Sequence, residues 1–189
     1  KKMPKPFLRV LLPFTFGNIS NYQFGIQFSH FMGHDIFKGE NISDATEDQK
    51  QKYQDGISWA MMCNVVYYSF QFVYGFLNTW ICNRVGMKIV MIVGLLFLSL
   101  GFFSFFFVSN KYAYLGISIP LGFGNLIYNA VAYAVVSLVI PTEDLAGNFG
   151  VLICAGVIGQ QISNFGIGSG LAAIWPNNSR MMIGLSSIF

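Results

Sequence analysis

The chain has 189 residues, of which 54% are apolar and only 10% are charged. Soluble domains carry about 25% charged residues, so this composition excludes an ordinary soluble domain and indicates an integral membrane protein. The net charge of +3 and the absence of a basic stripe argue against nucleic acid as a partner. The three cysteines, Cys63, Cys82 and Cys154, stand singly in apolar stretches and predict neither a disulfide framework nor a metal site.

Five stretches of the chain lack Asp, Glu, Lys and Arg over more than the roughly 20 residues that a helix needs to cross a bilayer. The run at 90–103 shows no alternation of polar and apolar residues, which favours helices over the strands of a barrel. We therefore predict an all-α membrane protein. Its complete spans lie near 10–30, 57–82, 88–108, 113–140 and 148–171, and a partial sixth begins at 181.

The longest connection between the predicted spans is the segment 35–56. It carries six acidic residues and three lysines, and we predict that it is a solvated loop outside the cytoplasm. The other connections are short, and Pro141 and Gly147 mark the break between the fourth and fifth spans. The chain begins without Met and stops within an apolar run, so we expect it to be part of a longer protein.

Basic residues near the span ends predict the orientation in the membrane. One side of the predicted bundle has tightly clustered basic residues, namely Lys1, Lys2, Lys5, Arg9, Arg84 and Lys88, and we place this side in the cytoplasm. The sequons that begin at Asn41 and Asn177 fall on the opposite side, so both are candidate glycosylation sites.

Polar side chains recur on one stripe of four predicted spans, whereas the third span has only Ser99 and Ser104 between 89 and 108. The stripe of the second span comprises Asn64, Tyr67, Tyr68, Gln71, Tyr74 and Asn78. A polar group in hydrocarbon needs a partner, so the stripes should face a shared hydrophilic cavity or join helices by hydrogen bonds. Under the cavity interpretation the substrate-binding candidates are Gln23, Gln27, His30, Asn64, Tyr68, Gln71, Asn125, Tyr128, Asn129, Tyr133, Gln160 and Asn164.

The chemistry of these stripes suits a neutral, hydroxyl-rich solute. Amides donate and accept hydrogen bonds, and tyrosine adds a ring face and a hydroxyl, so the set matches a sugar better than an ion. No carboxylate lies within a predicted span, and no nucleophile, base and acid stand together. We predict a carrier, not an enzyme, without cofactor or metal, and with a proton as a candidate co-transported ion.

Three passages resemble a known family. FSHFMGHDIFKG (28–39) resembles the pattern F-x-T-D-W-M-G-R-E-x-Y-x-G, and NRVGMK (83–88) resembles a short cytoplasmic R-x-G-R/K loop. GFGNLIYNAVAYAVVS (122–137) resembles G-I-P-x-A-x-x-Y-x-x-P-F-A-L-V-S. The patterns are those of the second half of major facilitator superfamily transporters, specifically the sucrose/proton symporters of plants and the related animal sucrose-symporter-like carriers.

The resemblance implies that the spans are helices seven to twelve of a twelve-helix transporter, whose N-terminal half is the partner of this chain. It implies that Arg84, Gly86 and Lys88 form the cytoplasmic loop motif. It also implies proton-coupled symport of a sucrose-like disaccharide or glucoside by alternating access, in the plasma membrane or an internal vacuolar or lysosomal membrane.

The sequence departs from the family pattern at His30 and at His34, where the family has acidic and basic side chains, so the charges at the outer mouth differ. The alternatives are a facilitative or cation-coupled carrier of another neutral metabolite, and a membrane scaffold or receptor that does not transport.

Overall fold

The computed structural model describes residues 4–168, 170, 173 and 179–188, and within these residues the chain is all-α, with helices and no strands. Lys1, Lys2 and the predicted glycosylation site Asn177 lie outside the described residues, as do positions 169 and 171 at the end of the predicted fifth span.

Six α-helices can be assigned within the described residues. They are α1 (Lys5–His30), α2 (Glu47–Val85), α3 (Met87–Ser104), α4 (Ala113–Val139), α5 (Leu145–Gln161) and α6 (Ser179–Leu185). Helix α1 continues into a π-helical turn at Phe31–Ile36, and α5 continues into another at Ile162–Gly168. Short 3-10 turns occupy Thr142–Asp144 and Ser186–Ile188.

The structure corrects the prediction that the whole of 35–56 is a loop, because α2 begins at Glu47 and is 39 residues long. Thr46 and Gln49 form a capping box, in which the Thr46 side chain accepts from the Gln49 N–H and the Gln49 side chain accepts from the Thr46 N–H. The acidic residues Glu47 and Asp48 then lie in the first turn, where negative charge favours a helix. The charges that indicated a solvated loop instead stabilise a solvated helix.

Three helical segments within the described residues are long and apolar enough to cross a membrane, at Met87–Ser104, Ala113–Val139 and Thr142–Gly166. Helices α1 and α2 are not among them, because amides and hydroxyls interrupt their apolar runs and α2 carries a charged first third. Their insertion into the bilayer remains a prediction. Helix α3 exposes large apolar side chains, including Ile92, Leu96 and Leu100, as expected of a lipid-facing helix.

Helix α4 packs against both α2 and α3, while α1 packs against α4, α5 and α6. The helices approach closely at glycines. A Cβ at Gly122 would lie 2.4 Å from the Tyr67 carbonyl oxygen on α2, and one at Gly124 would lie 2.6 Å from the Gly94 carbonyl oxygen on α3. Small residues at such crossings allow the dispersion contacts that hold membrane helices together.

We call the end of the bundle formed by residues 31–46, 105–112 and 179–180 the outer end. Aromatic rings fill the core beneath it, where the centroid of Phe105 lies 5.3 Å from that of Phe31 and 5.0 Å from that of Tyr114. At the opposite end, Gly86 has a φ of +92° and lets α3 begin directly after α2.

Candidate functional site

The polar stripes of α2 and α4 and an asparagine beside the stripe of α1 meet at the side chain of Tyr67. Its hydroxyl donates a 3.0 Å hydrogen bond to Oδ1 of Asn21 on α1. Gln71, one turn further along α2, and Asn125 of α4 lie beside the same hydroxyl. Two of the predicted residues, Gln71 and Asn125, are therefore brought together, and their meeting point is a tyrosine.

The twelve predicted site residues differ in how far they are buried. Gln23 and Tyr128 are buried, whereas Tyr68 and Tyr133 are 62% and 38% exposed. The remaining eight have intermediate exposure, namely Gln27, His30, Asn64, Gln71, Asn125, Asn129, Gln160 and Asn164. Such a gradation is typical of stripes that run from a packed seam between helices to an open face.

The seam is illustrated by Gln23, whose Oε1 accepts a 3.1 Å hydrogen bond from the hydroxyl of Ser163 in the turn after α5. This bond joins α1 to the end of α5. Joining helices by hydrogen bonds is one of the two roles that the sequence left open for the polar stripes. The Nε2 atom of Gln23 has no partner within the described part of the chain. The oxygen of this amide therefore has a structural role, and its nitrogen can bond to a further partner.

Three further buried polar atoms lack partners among the described residues, namely Nε2 of Gln71 and the hydroxyls of Tyr74 and Tyr128. The Tyr128 ring packs where a Cβ on Gly17 of α1 would lie 3.1 Å from it. A buried donor without a partner costs about 1–3 kcal/mol, so these positions favour occupation by water or by a bound polar molecule.

The predicted pair on α4 is largely satisfied by its own helix. Nδ2 of Asn129 donates to the Asn125 carbonyl at 2.9 Å and lies 3.3 Å from the Asn125 Oδ1. The two amides therefore present one joined polar patch rather than two independent groups.

Two predicted residues of α2 line an open groove of about 460 Å³ on the surface of α2 and α4, formed by Tyr68, Gln71, Phe72, Gly75, Phe76 and Leu126. A second cleft, of about 440 Å³, lies between α1, α3 and the last described turn. Its lining is mostly apolar and includes none of the twelve predicted residues. The groove on α2 and α4 is the better candidate for solute contact, because Tyr68 and Gln71 line it.

His30 lies apart from these groups, at the outer end. It lines a pocket of about 230 Å³ together with His34, Glu40, Asn41, Ile42 and Tyr53. Its Nδ1 lies 2.8 Å from the Ser179 hydroxyl oxygen at the start of α6. Asn41 and Ser43 of the predicted glycosylation sequon are exposed on this loop.

The predicted cytoplasmic loop motif lies at the end opposite to the outer pocket. Arg84 stacks on Trp80, with its guanidinium carbon 4.5 Å from the ring centroid, and Lys88 is exposed in the first turn of α3. Gly86 supplies the left-handed backbone between them. An exposed cation next to an aromatic ring is typical of a helix end at a membrane interface.

Sequence reasoning omitted Asn21 and Tyr67 from the candidate site. Tyr67 belongs to the α2 stripe, so its spacing was a usable signal, whereas Asn21 lies beside the α1 stripe and no periodicity indicated it. Among the described residues, no group of three His, Cys, Asp or Glu side chains is placed to hold a metal ion.

No curated protein matches the chain. The family model described as Major Facilitator Superfamily matches residues 24–189, which is most of the sequence and includes all the helices after α1 and the outer part of α1. Together with the all-helical fold and the apolar helices α3, α4 and α5, this match places the chain in a membrane. The chain therefore belongs to the Major Facilitator Superfamily, a family of membrane transporters rather than enzymes.

Proposed function

We propose that the transporter carries a small neutral hydrophilic solute, a sugar such as a sucrose-like disaccharide or glucoside, by proton-coupled symport through alternating access. The observation that carries the proposal is the convergence of uncharged donors and acceptors from α1, α2 and α4 around Tyr67. Hydroxyl-rich molecules match such groups because each hydroxyl both donates and accepts. In this mechanism two halves of the transporter rock around a site near the midplane of the membrane.

The unpartnered atoms support a binding role for these side chains. Nε2 of Gln71 and the Tyr128 hydroxyl are buried and have no partner in the described chain, so a sugar hydroxyl there would gain hydrogen bonds without displacing protein contacts. Exposed aromatic faces at Tyr68 and Tyr133 add surfaces on which a sugar ring can pack.

A scaffold or receptor without transport activity is the alternative that a specific observation favours. The bonds from Tyr67 to Asn21 and from Ser163 to Gln23 join helices, as the amides of a purely structural bundle would. A structural role does not account for Gln71, whose side chain lines an open groove and whose amide nitrogen has no partner among the residues that the structure describes.

The experiment is uptake of a radiolabelled disaccharide by the complete transporter in proteoliposomes, with and without an imposed pH gradient. Gln71→Leu and Asn129→Leu should each lower uptake about tenfold or more, since an unmade buried hydrogen bond costs about 1–3 kcal/mol. Acidification on the uptake side should stimulate the unchanged protein if a proton accompanies the sugar. An uptake that ignores the gradient would assign facilitated diffusion instead.

Gln54→Leu is the matched control, because Gln54 is exposed in the solvated part of the same helix. It should retain uptake, and all variants should reach the membrane in equal amounts. Full uptake in both Gln71→Leu and Asn129→Leu would remove these residues from the site and favour the scaffold.

A further inference from the structure

Two adjacent residues at the start of α6 are held by the outer end of α1. Nδ1 of His30 lies 2.8 Å from the Ser179 hydroxyl oxygen, and Oδ2 of Asp35 accepts a 3.2 Å hydrogen bond from the backbone N–H of Arg180. The partners are separated by 149 and 145 positions in the chain. They tie the first and last described helices together at one point.

The two contacts are linked through His34. Its ring stacks on that of His30, with centroids 5.4 Å apart and planes 19° apart, and its Nδ1 lies 3.2 Å from Oδ1 of Asp35. These contacts form a closed ring, which we call the outer latch. It consists of the side chains of His30, His34, Asp35 and Ser179 and the backbone N–H of Arg180.

The surroundings of the latch combine both signs of charge with access to water. Glu40 and Asn41 line the pocket onto which both imidazoles open, and the His34 side chain is 33% exposed. The edge of the Tyr53 ring from α2 lies against His30 at a centroid distance of 6.1 Å. The Arg180 guanidinium donates to the Ser109 hydroxyl and lies over the Phe31 ring.

We propose that the stacked imidazoles of His30 and His34 are a proton-binding site, and that protonation of both rings loosens the outer latch. A first proton gives the Asp35 carboxylate, whose Oδ1 lies 3.2 Å from Nδ1 of His34, a cationic partner. A second proton, taken from water at the outer face, places two like charges on rings whose centroids are 5.4 Å apart. The repulsion acts directly on the contact between α1 and α6.

Release of the latch affects α1, which carries one of the polar stripes. His30 is one helical turn beyond Gln27, so release of the latch frees the outer end of the α1 stripe from α6. Histidine changes charge between about pH 5 and pH 8, so the latch responds to the acidity of the outer compartment. The inference does not depend on which solute is carried.

The test is hydrogen–deuterium exchange of the complete transporter in lipid nanodiscs, followed by mass spectrometry across the range of about pH 5 to pH 8 in which histidine titrates. The data are normalised for the pH dependence of intrinsic amide exchange. Peptides covering 28–37 and 179–188 should lose protection several-fold on acidification, whereas a peptide within α3 should not. Equal protection at both ends of the range would overturn the proposal.

Variants separate a titrating latch from a merely structural one. His30→Gln removes one of the two charges but keeps a hydrogen-bonding side chain. In this variant the amide protection of the peptides 28–37 and 179–188 should therefore no longer depend on pH. Tyr53→Phe keeps the ring beside His30 and should retain the loss of protection, which makes it the matched control. A pH-dependent loss in His30→Gln equal to that of the unchanged protein would contradict the proposal.

A second variant covers the case in which His30→Gln disrupts the outer end at every pH. Asp35→Asn keeps an acceptor for the Arg180 N–H but removes the carboxylate that lies 3.2 Å from Nδ1 of His34 and can pair with a charged imidazole. The loss of protection should then move to lower pH, because a charged imidazole no longer has this anionic partner. An unchanged midpoint in Asp35→Asn would show that the imidazole pair does not control the latch.

Discussion

At the scale of single residues, the hydroxyl of Tyr67 joins α2 to α1 by a hydrogen bond. Without this bond the two helices would pack through apolar groups. Tyr67→Phe removes the bond to Asn21 but keeps the ring packed against Phe24, whose centroid lies 6.0 Å away. Hydrogen bonds between membrane helices contribute about 0.6 kcal/mol on average and up to about 1.7 kcal/mol. We expect the variant to lose about 1 kcal/mol of stability, measured by thermal unfolding of the purified complete transporter.

Tyr112→Phe provides the comparison, because Tyr112 is exposed and its ring, not its hydroxyl, makes the contacts with Lys111 and Trp59. This control should unfold at the temperature of the unchanged protein. If Tyr67→Phe and Tyr112→Phe behave alike, the Tyr67 hydroxyl does not stabilise the bundle.

The residue scale also shows what periodicity can predict about a site. The spacing of Asn64, Tyr67 and Gln71 identifies the polar side of α2 from sequence, since all three lie on one helical stripe. Spacing does not indicate which member meets another helix, and Asn21 was omitted because it lies beside the α1 stripe. Some amide atoms are bonded, like Oε1 of Gln23, and others have no partner in the described part of the chain, like Nε2 of Gln71. The difference depends on tertiary packing that a single sequence does not contain.

At the scale of helices, α2 is joined to the turn after α1 by a contact between two glycines. A Cβ at Gly56 would lie 2.5 Å from the Cα of Gly33 and 2.8 Å from the carbonyl oxygen of Met32. Both obstacles are backbone atoms, which cannot rotate away. Gly56→Ala should therefore force the two segments apart and destabilise the protein by about 1–3 kcal/mol, the usual cost of overpacking.

Gly75→Ala is the matched control on the same helix. Its added methyl group would lie 3.7 Å from a Leu126 side-chain carbon, an ordinary van der Waals distance. Alanine also favours a helix over glycine by about 1 kcal/mol, so this variant should be neutral or slightly more stable in the same thermal assay. A Gly56→Ala protein as stable as Gly75→Ala would mean that the contact at Gly33 is not closely packed.

Helix boundaries show why uncharged runs underestimate helices. Counting residues without charge measures the length that can lie in hydrocarbon, and this measure stops at Asp55. The helix itself continues outward to Glu47, because capping by Thr46 and Gln49 and the ion pair from Lys50 to Glu47 do not require an apolar environment. The T-x-x-Q signature at 46–49 was present in the sequence and would have placed this boundary.

At the scale of the whole molecule, composition and motif resemblance predicted the fold class and the superfamily, because both depend on features spread along the chain. The choice of solute depends on a few atoms, such as Nε2 of Gln71 and the Tyr128 hydroxyl, and stays a prediction. The apolar surface of α3 could be predicted directly from the sequence. Leu, Ile, Val and Phe all suit a lipid-facing surface, so their order along the helix hardly matters.

We predict the orientation in the membrane from the placement of charge. Arg84 and Lys88 lie at the end of the bundle where α2 gives way to α3, opposite the outer latch, and clustered basic residues favour the cytoplasmic side. We expect a cysteine at the exposed position of Asp44 to be labelled in intact cells by a membrane-impermeant maleimide. A cysteine at the exposed position of Asn83 should be labelled only after permeabilisation.

Both single-cysteine proteins need a background in which the native thiols are replaced by serine, including Cys63, Cys82 and Cys154. The background protein itself should remain unlabelled under both conditions. The same orientation requires that Asn41 be available for glycosylation in a eukaryotic secretory pathway, and Ser43→Ala should abolish the resulting mass shift. Labelling at position 83 in intact cells, with protection at position 44, would reverse the orientation and place the histidine pair of the outer latch in the cytoplasm, where external acidity could not reach it.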